Sequence, residues 1–312
     1  MKPIRLALLL IFLVPLLTAC ADDLDLVVIE RLAPGGGVRG DGASVTQARP
    51  TLDVLVRIES DATGFFPDNI LRVQINGVDR TGDVVMGGVY ALVRIDPAPV
   101  GVPQFIELFE RLGPVRDTVT LTAEAFLGPT VASVTPNQAR AGAQVTIAGT
   151  GFDAGALRVF FGGIEGTVDA SDANSITATV PDGARTGLVY VLIGDAAAEG
   201  IVGFQLLDAT DEPVPLPITL ELFAVFPARG GIETALDIFG TNIDDLVRPN
   251  INDRGGDRVF RIETLEVDPI GEITRAIGVI LPNTDGGADA IRLERGGEDS
   301  IELPFVVDAD EE

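Results

Sequence analysis

Two stretches of the chain repeat one pattern, and this pattern decides the fold: Val134-Thr135-Pro136 with Gly149-Thr150-Gly151-Phe152, and Val225-Phe226-Pro227 with Gly240-Thr241-Asn242-Ile243. In each copy the glycine follows the proline by 13 residues. Each copy then has an apolar run that ends in a second proline, Pro181 or Pro282, and a phenylalanine 23 residues further on, Phe204 or Phe305. Two spacings kept together indicate an internal repeat, and each repeat has the length of one small domain.

Each landmark of the repeat has a physical role. The first proline fixes φ and lacks a backbone donor, which suits the start or the edge of a strand. The Gly-Thr-Gly and Gly-Thr-Asn turns need residues that tolerate positive φ. The late phenylalanines, Phe204 and Phe305, are placed to fill the gap between two sheets. Each copy is therefore predicted to be a small β-sandwich.

Short alternating runs continue outside the repeat. Leu71-Arg72-Val73-Gln74-Ile75 alternates apolar and polar residues and meets the turn pair Asn76-Gly77, and residues 118–123 alternate again. Such runs, separated by turn residues, predict half-buried strands. Residues 105–112 fit either a short helix or a strand. Many short strands favour β-sandwiches over a parallel sheet with crossover helices.

A family resemblance starts from the first copy. Val131-Ala132-Ser133-Val134-Thr135-Pro136, then Ala141-Gly142, then Val145-Thr146-Ile147-Ala148-Gly149-Thr150-Gly151-Phe152 resembles the opening of an IPT/TIG domain. That family has an immunoglobulin-like fold, shared by plexins, certain transcription factors and many bacterial surface proteins. The similarity covers residues 131–207. Residues 220–307 resemble a degenerate second copy, with Asn242 in place of the second glycine and ten extra residues between the landmark prolines. We expect those extra residues to form an exposed loop around 247–261.

The first twenty residues predict export and lipidation. Lys2 and Arg5 precede an apolar run over residues 6–17, and small residues precede Cys20. Such a run is too short for a helix that spans about 30 Å of hydrocarbon with ~20 residues, whereas it fits a signal peptide. Leu17-Thr18-Ala19-Cys20 resembles the bacterial lipobox, in which the thiol is diacylated, for example with palmitate, and becomes the mature N-terminus. The alternative is an ordinary signal peptide with a chance cysteine.

Cys20 is the only cysteine of the chain. A disulfide within the chain is therefore excluded, and each domain must depend on its own apolar core. More than one acyl chain on Cys20 would anchor the protein stably in a membrane. Ala21 follows Cys20, which favours the outer membrane, at its periplasmic face or at the cell surface.

Together these patterns predict an all-β fold of tandem immunoglobulin-like β-sandwiches behind a lipoprotein signal peptide and a flexible tether. The predicted segments are a signal peptide over 1–19, the lipidated cysteine and a glycine-rich tether over 20–43, an Ig-like sandwich over 44–128, an IPT/TIG domain over 129–210, a degenerate IPT/TIG domain over 217–307, and an acidic tail over 308–312.

Composition excludes several classes of function. With 47 acidic and 22 basic residues the formal net charge is −25, so the surface repels phosphate backbones and nucleic acid is not expected as a partner. The chain has no histidine, and its one lysine, Lys2, belongs to the signal peptide. Histidine-based triads, the commonest zinc ligand and Schiff-base chemistry are therefore missing. We predict no enzyme, no catalytic residue, no metal site and no cofactor; only a carboxylate pair could still perform acid–base chemistry.

Calcium binding and glycan binding each depend on particular residues. Asp169-Ala170-Ser171-Asp172-Ala173-Asn174 is rich in carboxylates but lacks the central glycine and the final glutamate of an EF-hand, so a polar loop is favoured over calcium binding. Asp244-Asp245 and the acidic tail are interpreted as solvated charge. Glycan binding would need exposed aromatic faces, yet there is no tryptophan, and Tyr90 and Tyr190 lie in apolar runs that predict core packing. Phe65-Phe66 fits either an exposed apolar tip or a packed turn.

The predicted function is that of a lipid-anchored envelope or cell-surface protein that acts as a structural or protein-interaction module. Its partners would be the membrane, through the lipid on Cys20, and another envelope or surface protein. The loop at 247–261 and the strand edges are the expected contacts. The alternative is a glycan-binding accessory lipoprotein.

Overall fold

The computed structural model describes residues 24–31, 43–47, 52–60, 70–87, 90–95, 101–110, 115–125, 127–231, 234–251, 254–255, 259–279 and 287–308. Within these ranges the regular structure is all strand, apart from one 3₁₀ turn at Thr81–Asp83. The strands form six sheets, two for each of three successive sandwiches. This confirms the predicted all-β fold of tandem immunoglobulin-like β-sandwiches. Cys20, Phe65-Phe66 and residues 309–312 lie outside the described residues.

The first sandwich contains β1 (Leu24–Arg31), β2 (Ala43–Gln47), β3 (Leu52–Ser60), β4 (Ile70–Ile75), β5 (Val78–Asp79), β6 (Val84–Gly87), β7 (Tyr90–Ile95), β8 (Pro103–Glu110) and β9 (Val115–Ala125). One sheet has the order β1-β3-β7-β6 and the other the order β2-β9-β8-β4-β5. Val73, Ile75 and Ile106 are buried in it. The ambiguous segment that begins at Phe105 is a strand, β8, as far as Glu110.

The predicted tether needs a correction at its N-terminal half. Residues 24–31 form β1, which pairs antiparallel with β3 from Leu24 opposite Ser60 to Arg31 opposite Val54. The physical reason lies in the sequence LDLVVIER, whose β-branched and apolar residues suit a strand. The glycine-rich composition of the following residues led to the prediction of one flexible segment over the whole of 20–43.

The second sandwich contains β10 (Thr130–Thr135), β11 (Gln138–Arg140), β12 (Gln144–Thr150), β13 (Leu157–Phe161), β14 (Ile164–Glu165), β15 (Thr167–Asp172), β16 (Ser175–Thr179), β17 (Gly187–Ile193), β18 (Ala196–Ala197) and β19 (Val202–Leu207). One sheet has the order β10-β12-β16-β15. The other has the order β11-β19-β17-β13-β14, with β18 pairing β17. β11 runs parallel to β19, so the chain crosses from one sheet to the other between β10 and β11.

The third sandwich repeats this topology strand for strand. It contains β20 (Glu221–Phe226), β21 (Arg229–Gly230), β22 (Ala235–Thr241), β23 (Arg248–Ile251), β24 (Arg254–Gly255), β25 (Val259–Val267), β26 (Gly271–Val279), β27 (Gly287–Arg295), β28 (Glu298–Asp299) and β29 (Leu303–Val307). Its sheets are β20-β22-β26-β25 and β21-β29-β27-β23-β24, with β28 pairing β27. The described strands of the first sandwich follow the same two orders. The sequence repeat is therefore a repeat of topology.

The repeat landmarks occupy equivalent places. Pro136 and Pro227 follow β10 and β20 directly, each after a cis peptide bond, so they stand at the end of a strand rather than at its start. Gly151 and Asn242 both have positive φ, 76° and 57°. Asparagine tolerates this left-handed conformation better than most residues, which explains the replacement of the second glycine.

The other two landmarks act through packing. A Cβ added to Gly149 would lie 1.9 Å from the carbonyl oxygen of Thr130, and one added to Gly240 would lie 1.9 Å from that of Glu221. The first glycine of each motif is therefore required by close backbone contact, not by positive φ. Phe204 and Phe305 are fully buried, as their spacing predicted.

The prediction of an exposed loop at 247–261 is wrong for the described part of that segment. Val247 is fully buried, and residues 248–251 form β23 inside a sheet. The additional residues instead lengthen a hairpin: β25 and β26 have 9 residues each, whereas the equivalent β15 and β16 have 6 and 5. Composition rich in Asn, Asp, Arg and Gly indicated a loop, but residues 259–267, VFRIETLEV, form the strand β25.

Candidate interaction surface

Strand β17 is buried on both of its faces. Val189, Val191 and Ile193 pack in the core of the second sandwich. Leu188, Tyr190 and Leu192 point the other way and belong to a cluster that continues into the third sandwich. In a sandwich that stood alone, one of these faces would be in water. The outward face of the sheet that contains β17 is therefore covered by the next domain.

The covering surface comes from β20 and β22 of the third sandwich. A row of aromatic rings crosses the boundary: Phe160 to Tyr190 with centroids 5.8 Å apart, Tyr190 to Phe226 at 5.5 Å, and Phe226 to Phe239 at 5.8 Å. The last two contacts are edge-to-face, a preferred arrangement of aromatic pairs. We call this buried contact between the two sheets the interdomain face.

Tyr190 lies at the centre of the interdomain face. Its hydroxyl donates a hydrogen bond to the Val225 carbonyl oxygen at 3.0 Å. Burial raises the pKa of Tyr190 well above its usual range, and the negative charge of Glu199 acts in the same direction. The phenol therefore stays a neutral donor. The prediction that Tyr190 packs in a core is confirmed, although the core is shared by two domains; the side chain of Tyr90 lies outside the described residues.

Polar contacts surround the interdomain face. Arg185 of the second sandwich forms an ion pair with Glu221, which is 8% exposed. The segment that joins the two sandwiches is held by its backbone. The Val214 carbonyl accepts hydrogen bonds from Thr186 and Gln205, and the Leu220 amide donates to Glu298 at 3.0 Å. The connection is thus tied to both domains.

A buried ion pair stands on the same sheet as Phe239. Arg275 on β26 donates to both carboxylate oxygens of Asp237 on β22, at 2.7 and 3.1 Å, and it also reaches Glu263 at 3.2 Å. The side chains of Arg275 and Asp237 are 5% and 1% exposed. Since a buried charge without its partner is costly, this pair fixes β22 against β26 in the sheet that also carries Phe226 and Phe239.

Shallow clefts lie along the boundary between the second and third sandwiches, where the two domains do not pack closely. One, of about 310 Å³, lies between Arg158 and Leu192 on one side and Phe305 on the other. The guanidinium of Arg158 lies 5.1 Å from the centroid of the Phe160 ring. Its hydrogen bonds with Glu165 raise the pKa of Arg158 and lower the pKa of Glu165. The cation in this cleft is therefore already paired within its own sheet.

The first sandwich presents an apolar tip to solvent. Val78, Val102 and Phe105 are 56%, 43% and 48% exposed. Asn76 holds the tip together, because its side-chain oxygen accepts from the Phe105 amide at 2.9 Å and its backbone amide donates to the Phe105 carbonyl at 2.9 Å. We call Val78 on β5, together with Val102 and Phe105 at the start of β8, the β4–β5 tip. Three large apolar side chains at one end of a sheet exceed the scattered exposure of an ordinary surface.

The carboxylates of the acidic segments form hydrogen bonds and ion pairs with neighbouring residues. Asp169 on β15 accepts hydrogen bonds from Thr179 and Gln144, and Asp172 accepts from the Asn174 amide in the turn to β16. Asp244 accepts from the Leu246 amide and pairs with Arg295. The described residues contain no group of three or more His, Cys, Asp or Glu side chains that could hold a metal ion. In the same ranges no helix has the length and hydrophobicity of a membrane span.

The interdomain face was not predicted from the sequence, in which each domain was interpreted as a separate sandwich with contacts at loops and strand edges. A signal was available in β17, where Gly187-Leu188-Val189-Tyr190-Val191-Leu192-Ile193 does not alternate with polar residues. A continuous apolar strand indicates that both faces of the sheet are covered.

Comparisons with solved structures give only slight similarity. SGBP-B of the Bacteroides ovatus mixed-linkage glucan utilization locus, in complex with a mixed-linkage heptasaccharide, is 14% identical over 86% of this chain and 67% of its own, with a TM-score of 0.25. The extracellular region of plexin A4 is 16% identical over 89% of this chain and 23% of its own, with a TM-score of 0.27. The titin fragment I67–I69 is 7% identical over 91% of this chain and 99% of its own, with a TM-score of 0.19. The chain thus spans about two thirds of SGBP-B and less than a quarter of the plexin.

Comparisons with sequences are more specific. No curated protein matches the chain significantly. Residues 129–205, which are the second sandwich as far as β19, match the family model of the IPT/TIG domain. The family resemblance noted in the sequence is therefore confirmed for this segment: residues 129–205 form an IPT/TIG domain.

Proposed function

We propose that the chain is a lipid-anchored envelope or cell-surface protein that acts, without enzymatic activity, as a structural or protein-interaction module. The observation that carries the proposal is the interdomain face. It joins the second and third sandwiches through one continuous apolar cluster. A platform of this kind holds loops and strand edges in fixed positions, which favours the binding of a partner because little order is lost on association.

The membrane attachment rests on the sequence around Cys20. A diacylated Cys20 would anchor the mature chain stably, and the outer membrane is the proposed location. The excess of acidic over basic residues keeps the anchored domains away from anionic lipid headgroups. The sandwiches would therefore extend from the membrane rather than lie on it.

The β4–β5 tip is the proposed contact with a partner protein. Phe105 is the largest of its side chains, and aromatic residues are enriched at the centres of protein interfaces. By contrast, the outward face of β12 in the second sandwich has the small polar residues Thr146 and Thr150, both exposed. The tip is thus the better candidate, and Thr146 offers a control position on another domain.

Photo-crosslinking in intact cells tests this function. A photoreactive amino acid replaces Phe105 in one form of the protein and Thr146 in another, each with Cys20 and with Cys20→Ser. We expect a discrete crosslinked protein with the probe at position 105, absent with the probe at 146 and lost when the anchor is removed. Equal crosslinking at both positions, or none, would contradict a partner at the tip.

The glycan-binding alternative is an outcome of a parallel measurement. If the purified chain binds an envelope polysaccharide in a pull-down and no position crosslinks to protein, the glycan-binding function replaces the proposed one. The burial of Tyr190 counts against that outcome, because this ring cannot serve as a sugar platform.

A further inference from the structure

The hairpin β25–β26 holds most of the residues by which the third copy exceeds the second. Its turn, Asp268-Pro269-Ile270, is closed by a hydrogen bond from the Ile270 amide to the Val267 carbonyl at 2.9 Å. The turn does not end in solvent. Val267 and Ile270 are each 8% exposed and belong to the cluster that unites the two sandwiches, and Ile201 of the second sandwich packs against it.

The second sandwich has a glycine where the hairpin arrives. A Cβ on Gly203 would lie 2.5 Å from the Asp268 carbonyl oxygen and 3.1 Å from a methyl group of Val267. Contacts below about 3 Å are not tolerated, so only glycine allows the turn to lie this close to β19. In the third sandwich the strand equivalent to β19 is β29, and its residue next to the buried Phe305 is Pro304 instead of glycine. Glycine is thus present in the second sandwich, which receives the hairpin, and is replaced by proline in the third, which supplies it.

The shorter hairpin of the second copy has no such role in the described structure. β15 and β16 are joined at Ala173 and Asn174, and Asn174 and its neighbours bond within their own sandwich: the Asn174 carbonyl accepts from the Gly149 amide at 2.9 Å. The longer hairpin of the third sandwich and the glycine of the second sandwich that it contacts therefore lie on opposite sides of the same domain boundary.

We propose that the added length of the third copy is an interdomain clamp: the tip of the β25–β26 hairpin docks on Gly203 of β19 and fixes the angle between the second and third sandwiches. The clamp acts beside the aromatic contact of Tyr190 and Phe226, so the boundary is held at two separate places. A single contact would leave rotation about it possible, whereas two contacts exclude that rotation. The inference concerns this pair of domains and holds whatever partner the protein binds.

Hydrogen exchange on the full chain, followed by mass spectrometry, tests the clamp from both sides. Gly203→Ala places a methyl group against the turn. We expect exchange in the β25–β26 hairpin, which belongs to the other domain, to become at least about tenfold faster. Gly231→Ala is the matched control, because the nearest atom to its added Cβ is 3.7 Å away.

The reverse substitution acts on the hairpin. Replacing Val267 and Ile270 together by asparagine removes the apolar side chains from the end of the β25–β26 hairpin. We expect faster exchange in β19 of the second sandwich, since coupling between two sites is reciprocal. Glu272→Gln, on an exposed residue of the same hairpin, is the control. The clamp is overturned if each substitution speeds exchange only within its own sandwich, or if Gly203→Ala behaves like Gly231→Ala.

Discussion

The second and third sandwiches have the same strand order but opposite outward surfaces. In the second, the sheet with β13 and β17 is apolar on its outward face, where Phe160 lies opposite Tyr190. In the third, the equivalent pair on β23 and β27 is Asn250 opposite Arg292. Arg292 forms ion pairs with Glu294 and with Glu302. This face is apolar in the second sandwich and polar in the third, where Asn250 is itself buried at 4% exposed.

The other sheet shows the reverse difference. In the second sandwich Thr146 on β12 lies between Thr135 and Thr177 of the neighbouring strands, and Thr146 is exposed. In the third, the equivalent row is Phe226, Asp237 and Ile277, all buried.

The two comparisons together explain the arrangement. The apolar face of the second sandwich packs on the apolar face of the third, and the other outward face of each carries polar side chains. The second and third sandwiches therefore form one packed pair.

The largest expected effect comes from breaking the buried ion pair. Asp237→Ala leaves Arg275 buried without its bidentate partner, and such a change costs about 3–5 kcal/mol of unfolding free energy. Thr146→Ala, at the equivalent position of the second sandwich, is expected to change that free energy by less than about 0.5 kcal/mol. Urea unfolding of the full chain measures both values. Similar losses for the two variants would contradict the difference between the two faces.

Removal of the Tyr190 hydroxyl is expected to have an intermediate effect. Tyr190→Phe keeps the ring contacts but leaves the Val225 carbonyl without this donor, which costs about 1–3 kcal/mol for a buried acceptor. The two domains should both lose stability, because the bond joins them. Amide exchange in β12 and in β22, one strand from each domain, measures this. A loss confined to the second sandwich would show that the bond does not couple the domains.

Exchanging the turn residues of the two copies tests their equivalence. Asn242→Gly keeps a residue that accepts positive φ, so we expect a change of only a few tenths of a kcal/mol. Gly151→Asn is expected to cost more, about 1 kcal/mol, because a Cβ there would lie 3.0 Å from Pro129. Thermal unfolding of each variant provides the values. A larger loss from Asn242→Gly than from Gly151→Asn would contradict this account of the turn.

The smallest effect concerns acid. The hydrogen bond from the Leu220 amide, together with that from Arg295, lowers the pKa of Glu298. A carboxylate with a lowered pKa in the folded state contributes stability above its unfolded pKa of about 4.3, and this contribution is lost as the pH falls through the folded value. We expect Glu298→Gln to lower Tm slightly at pH 7, with the two proteins converging near pH 3. A constant difference in Tm across that range would exclude a role for the charge.

Much of the fold could be predicted from local patterns. Alternating strands, turn glycines and the buried phenylalanines, Phe204 and Phe305, follow from the periodicity and spacing of the sequence. The role of Gly149 could not be predicted, because close backbone contact and positive φ both require glycine and the sequence does not distinguish between them. Gly203 is a similar case, since its neighbour Asp268 is distant in sequence.

The site was less predictable because it depends on how whole sheets meet. Tyr190 was correctly assigned to a core, and the continuous apolar run of β17 indicates that both faces of its sheet are covered, but it does not indicate which domain covers the outer one. Alignment of the two copies by their strand registers reveals it, through the exchange of Phe160 for Asn250 on one face and of Thr135 for Phe226 on the other. The residues around 247–261 were misassigned because their composition is that of a loop, although β23 continues the sheet.

The central claim is that the second and third sandwiches form one rigid pair. Its most direct test is a distance distribution between nitroxide labels on Thr146→Cys and Asp299→Cys in the Cys20→Ser form, measured by double electron–electron resonance. Both positions are exposed, one on each domain. We expect one narrow distribution, which broadens when Gly203→Ala is added. A broad or multiple distribution in the otherwise unchanged protein would contradict it.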